Sequence, residues 1–221
     1  MNRLSASIMT NMIIPKLNAA SFEKLARSRL LATPPLLNDP LATGDHDLNP
    51  GSERLIASLR HAAVLVPIVE RSQLTVLLTT RTDHLPSHAG QIAFPGGKVE
   101  TFDAGPLAAA MREAQEEIAL DKSFIEPLGF LPPYRTGTGY IISPCVALIR
   151  PGFTLHADPA EVASVFEVPF DFLMNEANHQ IHSRTFAGIE RHFYAMPHGE
   201  HYIWGATAGI IRALYRRLFS R

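Results

Sequence analysis

Residues Arg112 to Leu120, "REAQEEIAL", place Glu113, Glu116 and Glu117 within two turns of an expected helix. At separations of three and four residues these side chains converge, and like charges so placed destabilise a helix by roughly 0.2–0.5 kcal/mol per pair. Arg112 alone cannot neutralise three carboxylates. A hard divalent cation can, since Mg²⁺ takes one or two protein carboxylates and completes its shell with water and substrate phosphate oxygens. The spacing by itself also suits a solvated acidic face on an ordinary surface helix. Leu107, Met111, Ala114 and Ile118 form the apolar stripe of that helix, so the carboxylates are expected to lie away from the core.

A site of this kind needs cations for an anionic ligand. Arg81 ends a strand-like run, and Lys98 follows Gly96 and Gly97, whose bare backbone allows a substrate to come close. The alternatives are a surface arginine at a strand end and a plain glycine turn. Signals for other chemistries are missing. The ten histidines show no C-x-x-C or H-E-x-x-H spacing for zinc, and "PGGKV" has Val99 where a phosphate loop needs Ser or Thr. No G-x-S-x-G elbow occurs. Cys145, the single cysteine, sits inside "YIISPCVALI" and reads as core packing rather than a nucleophile.

The elements that must position these residues follow from periodicity and turn chemistry. A short amphipathic helix is expected over 21–32 with Ser21 as its cap, then a Pro-, Asn- and Gly-rich linker over 33–52. "AAVLVPIVE" and "LTVLLTTR" form a hairpin, "GQIAFPGG" a short strand ending in a turn, and 106–120 a helix with Pro106 at its first position. Strands are expected over 125–131, 140–149, 161–168, 180–186 and 191–195, and a last helix over 206–219. Strands on both sides of one helix, with another helix at the end, make a mixed α/β (α+β) sandwich.

With 221 residues, 46% of them hydrophobic, the chain can bury one substantial core, read as an N-terminal extension over 1–53 and a compact domain over 54–221. A net charge of −1 without a basic run speaks against nucleic acid as a partner, and the lone cysteine fits a reduced, cytoplasmic setting. No apolar stretch approaches the ~20 residues needed to cross a bilayer, so no membrane partner is expected. The first 22 residues carry Arg3 and Lys16 without an acid, faintly like a transit peptide, and read better as a loosely held terminus. Homodimerisation is left open.

From the glycines onward, "GGKVETFDAGPLAAAMREAQEEIAL" resembles the Nudix box, in which a Gly and a Glu precede an Arg-Glu-apolar-x-Glu-Glu-x-Gly-apolar run at set spacing. The match at "REAQEE" is complete. Two positions depart from the pattern. The interval from Gly97 to Arg112 is one residue longer, which puts Ala104, beside Asp103, in the place of the first glutamate, and Ala119 replaces the last glycine. The longer stretch "LLTTRTDHLPSHAGQIAFPGGKVETFD" is similar to the coenzyme A pyrophosphatase branch of that family, which carries the same lengthening and an aspartate where Asp103 stands. "EVASVFEVPFDFL" and "YIWGATAGI" are also similar to that branch.

The resemblance implies a Nudix-type α/β/α sandwich with a central mixed sheet. It implies Mg²⁺ or Mn²⁺ held by Glu113, Glu116 and Glu117, with Arg112 orienting a glutamate and Asp103 supporting the loop or a water. The implied substrate is coenzyme A or acyl-coenzyme A, split at its diphosphate into 3',5'-ADP and 4'-phosphopantetheine or its acyl form. Phosphate contacts fall to Arg81, Gly96, Gly97 and Lys98. Since the box glutamates are committed to metal, the base that takes a proton from water is a separate group, and Glu161 in "DPAEVASVF", at a strand start, is a candidate beside a metal-generated hydroxide. The alternatives are a Nudix hydrolase of ADP-ribose or NADH and a catalytically silent nucleotide sensor, against which the intact "REAQEE" argues.

Overall fold

The computed structural model describes residues 16–52, 58–84, 89–186 and 188–220. In chain order the elements are α1 (Ala19–Arg29), β1 (Thr43–Gly44), β2 (Arg60–Val69), β3 (Thr75–Arg81), β4 (Ile92–Ala93), β5 (Gly96–Lys98) and α2 (Pro106–Ile118). There follow β6 (Ile125–Phe130), β7 (Tyr134–Arg135), β8 (Tyr140–Ile149), β9 (Val162–Pro169), α3 (Phe170–Leu173), β10 (Gln180–Phe186), β11 (Ile189–His198), β12 (His201–Trp204) and α4 (Gly205–Phe219).

The two longest apolar runs, β2 and β8, lie side by side in parallel, with Arg60 opposite Tyr140 and Val69 opposite Ile149. Both are apolar on both faces because both faces are covered. Ala63, Leu65 and Val69 join Cys145, Ala147 and Ile149 under Ala109, Ala110, Ala114 and Ile118 of α2. On the other face Val66, Ile68, Val146 and Leu148 meet Phe22 and Ala26 of α1 and Ile210, Ile211, Leu214 and Leu218 of α4. This is the expected α/β/α sandwich around a mixed sheet. Its main path runs β1-β7-β8-β2-β3-β4, with β5 paired to β2, β6 to β8 and β9 to β3. A second, antiparallel sheet, β10-β11-β12, packs Met196 and Ile203 into the α4 side of the core.

Several local expectations change. Helix α1 begins at Ala19 with Asn18 as its cap; Asn18 Oδ1 accepts from Ser21 N at 2.9 Å while Asn18 N donates to Ser21 Oγ at 2.9 Å, so Ser21 is the reciprocal member of a capping box. The stretch 33–52, read as a linker, is pinned to both sheets. Asp45 accepts from the Tyr134 hydroxyl at 2.8 Å and from Gly137 N at 2.7 Å, and the Asn49 amide donates to His192 O and accepts from His192 N, each at 2.8 Å. Phe22 packs edge-on against Phe170, 5.2 Å between centroids. The strand expected over 191–195 extends to Ile189–His198, and β12 was not foreseen. The boundary placed near Arg54 and the N-terminal stretch through Pro15 lie outside the described residues. Among the described residues no helix is long and apolar enough to cross a membrane.

Candidate active site

Helix α2 starts on Gly105 and Pro106 and ends where Ala119 turns into the left-handed region, φ 55° and ψ 29°. Glycine is the usual residue there, because a Cβ is crowded at positive φ. The last carbonyls of the helix are satisfied from outside it: Ile118 O accepts from His156 N at 3.0 Å and Glu117 O from Asp158 N at 2.9 Å. That loop then turns through Asp158, whose carbonyl accepts from Glu161 N at 3.0 Å, and so carries Glu161 to the end of α2.

The three glutamates occupy three different environments. Glu116 is exposed, Glu113 is mostly covered, and Glu117 is buried at 4% exposure. The expectation that the carboxylates lie off the core face therefore fails for Glu117, which is adjacent in sequence to the core residue Ile118 and lies under β5. Its Oε2 accepts from Gly96 N at 3.1 Å, and its Oε1 stands 3.5 Å from Arg81 Nη1. Burial pushes its carboxyl up to about 7, against the Gly96 N–H and Arg81 that favour the charged form; Glu113 and Glu161 nearby push the same way as burial. Burial also raises Glu113, although Arg112 opposes it.

Arg112 is the hub. Its Nη1 donates to Glu113 Oε1 at 2.8 Å and to Glu116 Oε2 at 2.9 Å; Nε and Nη2 grip Asp103 at 3.1 and 3.0 Å; and Nη2 also donates to Lys98 O at 3.2 Å. Asp103 Oδ2 further accepts from Glu100 N at 2.9 Å, so one carboxylate ties the loop to the helix. The Arg112 guanidinium holds Asp103 below the usual carboxylate range.

The other expected residues divide. Arg81 is brought into the site, between Glu117 and Glu161, with Nη2 3.8 Å from Glu161 Oε2. Lys98 is not: its ammonium turns to Glu100 at 3.2 Å, an exposed pair. The glycines make room for the protein's own atoms. A Cβ on Gly97 would collide with the Glu113 carboxylate, and one on Gly96 with Ala63 O and Val64. Cys145 is buried, and burial lifts its thiol to about 12, as a packing residue.

Residues 59–188 match the NUDIX domain family. The chain belongs to the Nudix hydrolases. Among relatives, the protein named uncharacterized Nudix hydrolase NudL of Photorhabdus laumondii is 40% identical over 171 residues, 77% of this chain and 91% of that one. The protein of the same name in Escherichia coli K12 is 42% identical over 167 residues, 76% and 87% of the two chains. Among solved structures, a C. elegans Ap4A hydrolase covers 50% of this chain and 80% of its own, with a TM-score of 0.44 and 18% identity. As a Nudix hydrolase the chain is a pyrophosphatase acting on phosphorus-containing anhydrides.

Nudix hydrolases generally use divalent metal ions, and the donor chemistry here fits one. Glu113, Glu116 and Glu117 are hard oxygen donors on one helix, and at buried Glu117 Arg81 and the Gly96 N–H favour the charged form without offsetting the effect of burial. Among the described residues no three His, Cys, Asp or Glu side chains are grouped so as to hold a metal ion, so the expected convergence of the three glutamates is not met: Arg112 Nη1 joins Glu113 and Glu116, while Glu117 turns to Gly96 N and Arg81.

Proposed function

We propose that this chain hydrolyses the diphosphate of coenzyme A and its acyl derivatives, releasing 3',5'-ADP and 4'-phosphopantetheine or its acyl form. The observation that carries the reading is the place of Asp103. The box is one residue longer before Arg112 than the general pattern, and the aspartate that the coenzyme A branch has at this point is the residue that grips Arg112 with both oxygens. The upstream signature from Leu77 to Asp103 supports it as well, although its Leu85–His88 portion lies outside the described residues.

In this reading Glu113, Glu116 and Glu117 hold Mg²⁺ or Mn²⁺, which supplies Lewis acidity and neutralises charge on the diphosphate. Arg112, fixed from the other side by Asp103, orients Glu113 and Glu116. Arg81 offers its guanidinium to a phosphate oxygen beside Glu117. Glu161 accepts the proton of the attacking water as the new oxygen–phosphorus bond forms and the bridging bond breaks. Purified protein incubated with coenzyme A, ADP-ribose or NADH and either ion tests this. Fastest turnover on coenzyme A is expected; a preference for ADP-ribose or NADH overturns the substrate and leaves the hydrolase.

A further inference from the structure

The sheet β10-β11-β12 has two unlike faces. One packs on α4 through Met196 and Ile203. By the strand register, the opposite face carries His182, Arg184 and Phe186 from β10, Arg191 and Phe193 from β11, and Tyr202 and Trp204 from β12. Arg184 and Arg191 are directly opposite each other. Like charges so placed repel, and neither guanidinium has a carboxylate partner among the described residues. Glu190, the nearest acid in sequence, points to the other face, where it accepts from Ser183 Oγ at 2.7 Å.

Beside this uncompensated pair the aromatic rings form one connected group. Phe193 and Trp204 are 5.1 Å apart, Tyr202 and Trp204 6.5 Å, and Arg184 lies 5.7 Å over the Trp204 ring. His182 fixes the exposed Tyr202: its Nδ1 is 2.6 Å from the phenol oxygen, and its Nε2 is 2.8 Å from Gln180 Oε1. Two arginines without counter-charge next to an exposed aromatic surface match a ligand that has a flat ring at one end and a phosphate at the other.

We propose that this face is a second nucleotide site, separate from the Nudix site and independent of the substrate assigned to it. The phosphate sits between Arg184 and Arg191, relieving their repulsion, and the base stacks on Tyr202. A single nucleotide rather than a polynucleotide is the occupant, because the face offers one cationic pair and the chain has a net charge of −1.

Trp204 is the only tryptophan in the chain, so its emission reports on this face directly. Titration with AMP is expected to change the emission saturably, and adenosine or inorganic phosphate alone to bind at least about 10-fold more weakly, since each supplies half of the contacts. The double variant Arg184→Ser/Arg191→Ser is expected to raise the AMP midpoint at least about 10-fold, whereas Glu117→Gln leaves it in place. Arg191→Ser alone should melt no lower than the parent while binding AMP more weakly, the signature of a repulsive pair kept for a ligand. Three outcomes overturn the proposal: no response to AMP, an equal response in the double variant, or a response to a single-stranded oligonucleotide or anionic phospholipid vesicles in place of AMP.

Discussion

Gly97 and Glu113 are in direct contact, the backbone of one filling the space beside the carboxylate of the other, so that a single added methyl on Gly97 would overlap Glu113 Oε2 at 2.6 Å. The obstructed atoms are the far end of a flexible side chain. A substitution there can be absorbed by moving the carboxylate, which leaves the fold intact and disturbs the position of a group proposed to hold metal.

Gly97→Ala is therefore expected to change the melting temperature little and to lower turnover at least about 10-fold, because a displaced carboxylate forfeits preorganisation. Parallel measurement of melting and kcat checks this. A large loss of stability with proportionate loss of activity would show that the backbone, not Glu113, gives way.

Glu117 makes a pH prediction whose sign is opposite to that of a salt-bridged acid. Its folded value, pushed up to about 7, lies above that of an unfolded glutamate, so between the two the native state holds the extra proton. Stability contributed by the neutral form is present at low pH and is lost as pH rises towards and through 7, with a ceiling of about 3 kcal/mol. In chelator, the melting temperature should fall across this window, and Glu117→Gln should flatten the fall. Mg²⁺ at pH 8 should raise the melting temperature of the parent and raise that of Glu117→Gln much less, while the variant loses turnover by orders of magnitude. A parent melting curve indifferent to Mg²⁺ would count against Glu117 as a ligand.

Ala119 ends α2 at φ 55°, where the family pattern has glycine. Ala119→Gly relieves the crowding of the Cβ and is expected to stabilise the protein by about 1 kcal/mol, or roughly 2–4 °C in a chain of this size. Thermal melting decides it, and activity should be unaffected because the turn holds no substrate-facing side chain.

Glu161→Gln removes a proton acceptor from a residue whose carboxylate approaches Arg81 at 3.8 Å. If it is the base, kcat falls by roughly two to four orders of magnitude while KM stays within a few-fold. Unchanged kcat assigns proton removal to another group, Asp103 being committed to Arg112.

Much of the frame was legible in order along the chain. The apolar runs of β2 and β8, the Pro106 start of α2 and the buried Cys145 all follow from side-chain period and turn chemistry, which are local properties. The placing of Glu113, Glu116 and Glu117 on one helix was equally legible, since it depends only on the helical repeat. Sequence by itself thus determined which residues share an element, and the box pattern determined the family. Depth and partnership were decided by the tertiary structure. Glu117 is buried because β5, from before the helix, and the 156–161 loop, from after it, close over its end; the period of α2 contains no information about either. Asp103 reaches Arg112 and Lys98 turns to Glu100 because the loop between β5 and α2 folds back on the helix. The Arg184–Arg191 pair and its aromatic flank arise only from strand register, which sets residues from three separate segments on one surface. Charge, depth and register are properties of assembled neighbours, and a linear pattern does not contain them.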